Sequence, residues 1–562
     1  MAISRDTIQK LERIRDAQNS KDAVFLQLWK NVAENIDPMY GEMNRDSEPR
    51  PSTKAADTKI YDSTVQSYSN VFAMGLQGYV CSSQSAFFSL MPEDGLSNSE
   101  EENKEFTEVL QTRTRQMYAC MAQRGFYGPV YPFFKSFADL GSAIMFFNLT
   151  KDNKINYEYV PNYQCVPLYN RVEGICDTIF RSMWLTAYEA RQMFGEENLP
   201  QCMRGDKVDE TKPFQFWELL CPRDRFGFKI SDSNEWEHLD IIWSRDEQKV
   251  VFEGGTTRQR FCLCTFSKND DSTAWGVGSP GLRQWQNSRC LQRMSQDLLI
   301  ASQYAASPAV MKSAGFTAKI APAAFIDIPA GASMSPLELG QDLSWTTTAI
   351  SDRRNLAKSD YFVDYFLMLS QYSGNVNTAT LAQGLQNEQL KMMTHFLDAL
   401  RTGFFEPVID WTWNTMGELG YFNDGYDIDY KTLQVDFVSP LYILQKQAVS
   451  LEPTVNTMNT VLPFLNLDPT LVNYFDFGEL VEVVRESTNA DARIVRDKKT
   501  AEEMIAAQQK AQQEQAAAQQ AIQQQDADTR QYAAATKAPE QGSVAQQMQS
   551  GNSSSYSNMK LK

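Results

Sequence analysis

Trp275-Gly276-Val277-Gly278-Ser279-Pro280-Gly281 runs straight into Leu282-Arg283-Gln284-Trp285. Beyond it Leu291, Met294, Leu298 and Ile300 keep helical spacing, so a long helix is expected over 282–306. Pro280 suits its start, where a missing N–H leaves nothing unpaired. The glycines spell G-x-G-x-x-G, the spacing of a dinucleotide-binding turn. That chemistry also needs a returning parallel strand and an acidic residue about 20 positions on. The helix leads instead into Pro308, Gly315, Pro322, Pro329, Gly331 and Pro336, a broken segment with short β runs such as 324–328. The glycines are expected to form a tight strand-to-helix turn. Helical spacing returns over 343–368.

Upstream, residues 3–36 read as an amphipathic helix or helix pair, with Ile8, Leu11 and Ile14, then Phe25, Leu28, Trp29 and Val32. Asp37-Pro38 stops it. Residues 41–58 are a polar loop of mixed charge. Residues 60–150 read as helical, with Asp62 or Ser63 as an N-cap and apolar spacing again over 106–121. Gly128-Pro129 punctuates, and the very apolar 130–147 reads as a buried helix. Between 155 and 265 the period changes to two. Ile155-Asn-Tyr-Glu-Tyr-Val160 and Phe214-Gln-Phe-Trp-Glu-Leu-Leu220 are examples. This is an antiparallel β region interrupted by one helix at 187–194, with turns at Gly227 and Gly254-Gly255. Cys262-Leu-Cys264 reads as a core-facing strand.

Downstream, 371–378 is an uncharged loop, and a long helix is expected over 379–419 with a kink at Pro407. Asn423-Asp-Gly425 signals a hairpin whose next strand is 426–430. Helices resume near Leu441. Residues 497–535 form a Gln/Ala-rich helix whose few large apolar residues, Met504, Ile505 and Ile522, cannot bury it alone. Residues 536–562 are polar and expected to lack order. The fold class is mainly α with an inserted antiparallel β region, an α+β chain.

The 562 residues carry 53 basic and 70 acidic side chains, net −17, which does not suit a duplex-gripping surface. Residues 369–492 hold 5 basic and 16 acidic residues, so most of the deficit sits there. His238 and His395 are the only histidines, which argues against a multi-histidine metal site or a histidine-dependent triad. Nine scattered cysteines without C-x-x-C fit reduced thiols. The basic start lacks an apolar h-region, so no leader is expected, and no apolar run is long enough to span a membrane. Gly-Lys never occurs, so there is no Walker A loop, and G-x-S-x-G is absent too. Asp424, Asp427 and Asp429 miss calcium-loop spacing because Gly425 takes a ligand position. No cofactor is expected. The alternative reading is a soluble DNA-processing enzyme using a carboxylate-held metal near 424–436.

Several motifs recur in a telling order. They are Tyr61-Asp-Ser-Thr64, Gly75-Leu-Gln-Gly78, Phe87-Phe-Ser-Leu90, Gly125-Phe-Tyr127 and Asp139-Leu-Gly-Ser-Ala143. Asp177-Thr-Ile-Phe-Arg181, Leu185-Thr-Ala187, Phe194-Gly195, the turn at 275–281, Asn377-Thr-Ala-Thr380 and Ser439-Pro-Leu441 come after them. This series resembles the head-to-tail connector (portal) family of short-tailed bacteriophages. Leu381 stands where that family has an acidic residue after Thr-Ala-Thr.

The resemblance implies a homo-oligomeric ring of twelve subunits at one capsid vertex, a structural component of the virion made in the host cytoplasm, with no enzymatic activity. Double-stranded DNA would pass through it non-specifically during packaging and ejection. The large terminase and then tail adaptor or nozzle proteins would dock on it, and major capsid and scaffolding proteins would surround it. By position, 1–281 is the wing, 282–306 and 343–368 the stem helices, and 307–342 the clip. Lys312, Phe316, Lys319 and Phe325 are the expected partner-docking residues of that clip. Residues 369–378 are the tunnel loop, with Gln371, Tyr372, Ser373, Asn375, Asn377 and Thr378 facing DNA. Their lack of charge would let DNA slide, since each phosphate ion pair adds affinity. Residues 379–492 form the long kinked helix and crown, 493–535 a barrel helix, and 536–562 a tail.

Overall fold

The computed structural model describes residues 3–446 except 49–59, 93–99, 151, 205–207, 231–235, 269–272, 307–309, 314–327, 329, 332, 337–343, 372–392, 424 and 427. Beyond these it describes Met504, Ala507 and Lys510. The chain divides into two units, Met1–Thr460 and Val461–Lys562; in the second, the three described residues are helical.

Ser4 accepts a hydrogen bond from the Thr7 N–H and opens α1 (Arg5–Lys21), which passes directly into α2 (Ala23–Asn35). Asp37 caps a short turn at Pro38, where the chain was expected to stop being helical. At the next start Asp62, not Ser63, supplies the capping oxygen, accepting from Thr64 N at 2.9 Å and opening α3 (Thr64–Tyr79). Residues 60–150 are not wholly helical. β1 (Phe88–Pro92) intervenes before α4 (Glu100–Gln123) and α5 (Tyr127–Leu140). The run over 130–147, expected as one helix, breaks at Gly141, whose φ of 78° ends α5 in the left-handed region. The rest is β2 (Ser142–Leu149). Its first six residues are buried, so both faces are apolar and no alternation betrays the strand.

The β region forms as expected: β3 (Ile155–Val160), β4 (Cys165–Asn170), β5 (Ile175–Thr186), then α6 (Ala187–Phe194), opened by a reciprocal Thr186–Glu189 cap. β6 (Pro213–Pro222), β7 (His238–Ser244), β8 (Val250–Thr256) and β9 (Phe261–Thr265) complete it. They form two antiparallel sheets, β4-β5-β6-β7-β8 and β3-β2-β9. Gly254 and Gly255 are not a turn. They lie in β8, where a Cβ on Gly255 would overlap the His238 carbonyl of β7.

α7 (Pro280–Ala306), β10 (Val310–Lys312), β11 (Met334–Pro336), α8 (Ser344–Asp360) and α9 (Val363–Gln371) come next; the one helix expected over 343–368 is broken at Tyr361-Phe362, where Phe362 takes a left-handed φ of 52°. Helical residues 393–400 run through a π turn at Arg401–Phe405 into α10 (Glu406–Glu418). Pro407 has no N–H for the carbonyl four residues back, and the widened turn absorbs that loss. The expected hairpin at 423–430 does not form among the described residues; Tyr430–Thr432 is a 3₁₀ turn. The strand is β12 (Leu433–Phe437), before α11 (Pro440–Lys446), and it pairs with β1: Phe88 faces Phe437 and Pro92 faces Leu433.

Three cores result. The main one joins α2, α3, α5, β2 and the α10 region through aromatics such as Trp29, Phe72, Phe133 and Phe404, the last two stacked at 4.2 Å between ring centres. α1 lays Ile8 and Leu11 on one face of the larger sheet, against Phe180, Trp217 and Trp243. α6 covers part of the other face with Ala190 and Phe194 against Phe214, Phe216 and Ile242. Each such aromatic contributes roughly 1.5–3 kcal/mol by leaving water.

Candidate functional site

The long helices α7 and α8 form a pair. Gln284 donates to Asp360, and Asn287 donates to the Arg353 carbonyl at 3.0 Å, so the two run antiparallel. At the far end β10 and β11 pair antiparallel, Val310 with Pro336 and Lys312 with Met334. Leu291, Ile350 and Ala357 are buried, whereas Leu299, Ile300, Tyr304, Trp345 and Leu356 are exposed, Trp345 to 74%.

The glycine turn is the root of this pair. It closes the segment 266–279 between β9 and α7, so the strand does not pass into the helix through one tight turn as expected; Gly278 there takes φ 74°. Its spacing serves backbone packing. A Cβ on Gly276 would overlap the Gly141 carbonyl, and one on Gly281 would overlap Asp139 backbone. Reciprocally, a Cβ on Gly141 would sit 2.9 Å from Gly276 O. Gly276 N also donates to Ser142 Oγ at 2.8 Å. Trp275 packs edge-on against Trp29 and donates its indole N–H to Asp22 at 3.0 Å.

Two carboxylates tie the pair to the helices before it. Asp62 Oδ2 accepts from Arg354 Nε at 3.0 Å and pairs with its Nη2 at 2.9 Å. Ser295 Oγ reaches the same oxygen at 3.4 Å. Gln292 Oε1 accepts the Tyr61 and Asp62 backbone N–H groups, and its amide donates back to the Asp62 carbonyl at 2.6 Å. Burial alone would raise the Asp62 pKa; the hydrogen bonds from Thr64 and Arg354 outweigh it and hold the carboxyl below its ordinary range. Asp139, at the end of α5, is fully buried. It accepts from Tyr40 OH (2.9 Å), Ser69 Oγ (2.8 Å) and Tyr361 OH (2.9 Å). Burial raises its pKa, against the pull of Lys135 and the three hydroxyls. Tyr361 lies at the joint between α8 and α9, beside Phe362, which takes a left-handed φ of 52°.

The expected site residues are not what this root gathers. Gln371, expected in the loop, is instead the last residue of helix α9, because the helical hydrogen bonding of 363–371 runs on through the positions expected to open the loop, and Lys312 lies in β10. Tyr372, Ser373, Asn375, Asn377, Thr378, Phe316, Lys319 and Phe325 fall outside the described residues, as does most of 447–535. The residues that do converge carried one readable signal. Gln284, Asn287, Ser288 and Leu291 share one helical stripe, and buried polar groups there demand partners.

Among the described residues no group of three or more His, Cys, Asp or Glu is arranged to hold a metal, and no helix is long and apolar enough to cross a membrane. All nine cysteines are free thiols, and Cys262 and Cys264 are core residues of β9 as expected.

Residues 8–495 match the family model described as bacteriophage head to tail connecting protein. A relative named "Probable portal protein", from Bordetella phage BPP-1, is 21% identical over 487 residues, covering 84% of this chain and 85% of that protein. A "Portal protein" from Salmonella phage epsilon15 is 20% identical over 511 residues, covering 86% and 88%.

Proposed function

The chain belongs to the bacteriophage head to tail connecting protein family, and from that premise we propose how its parts serve as a portal. A portal is a component of the phage particle at a capsid vertex, and it acts as a ring. In our reading the antiparallel helices α7 and α8 are the stem, residues 1–281 the wing and 307–342 the clip. Residues 372–378 are the tunnel loop, 379–492 the kinked helix and crown, and 493–535 a barrel. The observation that carries this is the helix pair itself. Its root is fixed by glycine packing and by Asp62 and Asp139, while its far half exposes Leu299, Ile300, Tyr304 and Trp345. An apolar face of this kind needs a cover, and a neighbouring subunit standing alongside supplies one.

Twelve such subunits would enclose a bore for double-stranded DNA. An acidic wall suits passage better than binding, because it repels phosphate. Lys312, Phe316, Lys319 and Phe325 would meet the large terminase during packaging and tail proteins afterwards. The ring would do no chemistry of its own; no observation favours the carboxylate–metal enzyme. Negative-stain images of the purified chain should show rings with a central hole without added nucleotide. A monomer across salt and protein concentration would refute the reading. Asn375→Lys with Asn377→Lys should impair packaging or DNA retention and leave rings intact; normal packaging would remove the loop from the mechanism.

A further inference from the structure

β5, β6 and β7 each change character halfway along one face. On β6, Phe214 and Phe216 face the α6 core and Leu220 reaches the main core. Between them on the same face stands Glu218. β5 repeats this with Arg181 between Ile179 and Met183, and β7 places Asp240 two residues before Ile242. The register sets these charges side by side: Arg181 faces Glu218, and Asp240 faces Leu220. Glu158 of β3 and Arg260 join them. They line a cleft of about 730 Å³ reached by both sheets and α6, a size suited to a small ligand.

The pairing inside this cluster is incomplete. Arg181 donates to both oxygens of Glu158. Arg260 Nη2 pairs with Asp240 Oδ2 at 2.8 Å and reaches Glu218 Oε1 at 3.4 Å. Among the described residues, Glu218 Oε2 and Asp240 Oδ1 have no hydrogen-bond partner and stay buried, on residues only 4% and 3% exposed. Arg181 Nη1 forms an ion pair with Glu218 Oε2 at 3.6 Å. Arg181 Nε and Arg260 Nε also lack acceptors, but each belongs to a guanidinium already paired through its other nitrogens. Among the described residues, three carboxylates face two guanidiniums here. The unmet demand is therefore for a cation that donates hydrogen bonds. Around the charged floor the wall is apolar and open, with Leu149, Met193 and Phe252 exposed.

We propose that this cleft binds a primary alkylammonium group, its charge set against the Glu218 and Asp240 carboxylates and its methylene stem resting on Leu149, Met193 and Phe252. A free diamine and a lysine side chain of another protein share that chemistry. Burial pushes the Asp240 carboxyl up to about 7, with Arg260 and Arg181 opposing and Glu218 reinforcing. Arg181, Arg260, Glu158 and Glu218 are the charged groups around it. The ammonium needs Asp240 ionised, so binding tightens as pH rises through that value.

Titration calorimetry of the full chain with 1,4-diaminobutane tests this. Saturable binding is expected at about pH 8, weakening as pH falls, with none for butan-1-ol. Asp240→Asn should weaken it by about tenfold or more, and Phe252→Ala by a few-fold. N-acetyl-lysine amide is the second arm: if it binds more tightly than the diamine, the occupant is a protein lysine, and if less tightly, a free amine. No saturable binding at millimolar diamine, or equal binding by Asp240→Asn, overturns the proposal. Should Asp240→Asn fail to fold, Phe252→Ala and the pH profile decide, and an unchanged affinity in either one overturns it.

Discussion

Tyr361→Phe removes a single oxygen from the joint between α8 and α9 and leaves the ring in place, so no cavity opens. The lost group is the only donor to Asp139 Oδ1 among the described hydrogen bonds; Tyr40 and Ser69 both serve Oδ2. Tyr361 is 0% exposed and Asp139 fully buried, so water cannot substitute. Hydrogen bonds to charged groups contribute about 1.5–3 kcal/mol net, and neutral ones about 1. A loss of about 2 kcal/mol is expected in urea unfolding followed by tryptophan emission. Asp139→Asn should cost a similar amount alone. The double variant should lose less than the sum, because both changes break one contact, with a coupling of about 1 kcal/mol or more. A loss below about 0.5 kcal/mol, or additivity within about 0.5 kcal/mol, would show that the joint is held by apolar packing and not by this carboxylate.

Other consequences stem from the same root. Asp62 and Asp139 should give opposite pH dependence. The lowered pKa of Asp62 contributes stability above the ordinary carboxylate range that fades as pH falls towards its folded value. The raised pKa of Asp139 contributes stability below that range, lost as pH rises through its folded value; thermal melts of Asp62→Asn and Asp139→Asn should flatten one limb each. Gly281→Ala should cost about 3 kcal/mol or abolish soluble expression, because its Cβ meets backbone that cannot move aside, whereas Gly128→Ala, with open space, should be neutral or stabilising by about 0.5–1 kcal/mol. Trp345→Glu should weaken ring assembly in sedimentation while leaving the chain's melting temperature within a few degrees, since its side chain is exposed.

Legibility in the sequence tracked how local the determining physics was. Strand Ile155–Val160 and helix Ala187–Phe194 match their sequence assignments because period-two alternation and a Thr-x-x-Glu cap are encoded within a few residues. β2 was hidden because burial on both faces erases alternation, and Gly141 was the only local mark of the change. β12 was misplaced by a few residues. Tyr426–Tyr430 and Leu433–Phe437 alternate equally well, and what selects the second is β1, more than 300 residues earlier in the chain. The glycine turn was placed before its helix, but its partner Gly141 lies on another element that no spacing rule connects to it. The grouping of Arg181, Glu218 and Asp240 has no local mark for a related reason. A charge in a strand reads as solvent-facing until the register shows all three on one buried seam.

A fixed root has a geometric purpose if the helix pair lines a bore. α7 has 27 residues. At 1.5 Å per residue it is ~40 Å long, and a tilt of about 5° at its base would move its tip by ~3.5 Å. Subunits in a closed ring share such a tilt, so the whole passage would widen or narrow together. Side-chain hydrogen bonds alone would permit it, since each is worth little and bends easily. Backbone packed on backbone at Gly141, Gly276 and Gly281 does not, because the atoms in contact have no rotamers to adjust. Asp62, Gln292 and Arg354 then fix the rotation that glycine packing leaves free, from a second element, α3. Releasing that second anchor with Asp62→Ala should therefore leave rings that still close but vary more in bore diameter in class averages. Rings of unchanged uniformity would mean that the glycine contact by itself sets the angle.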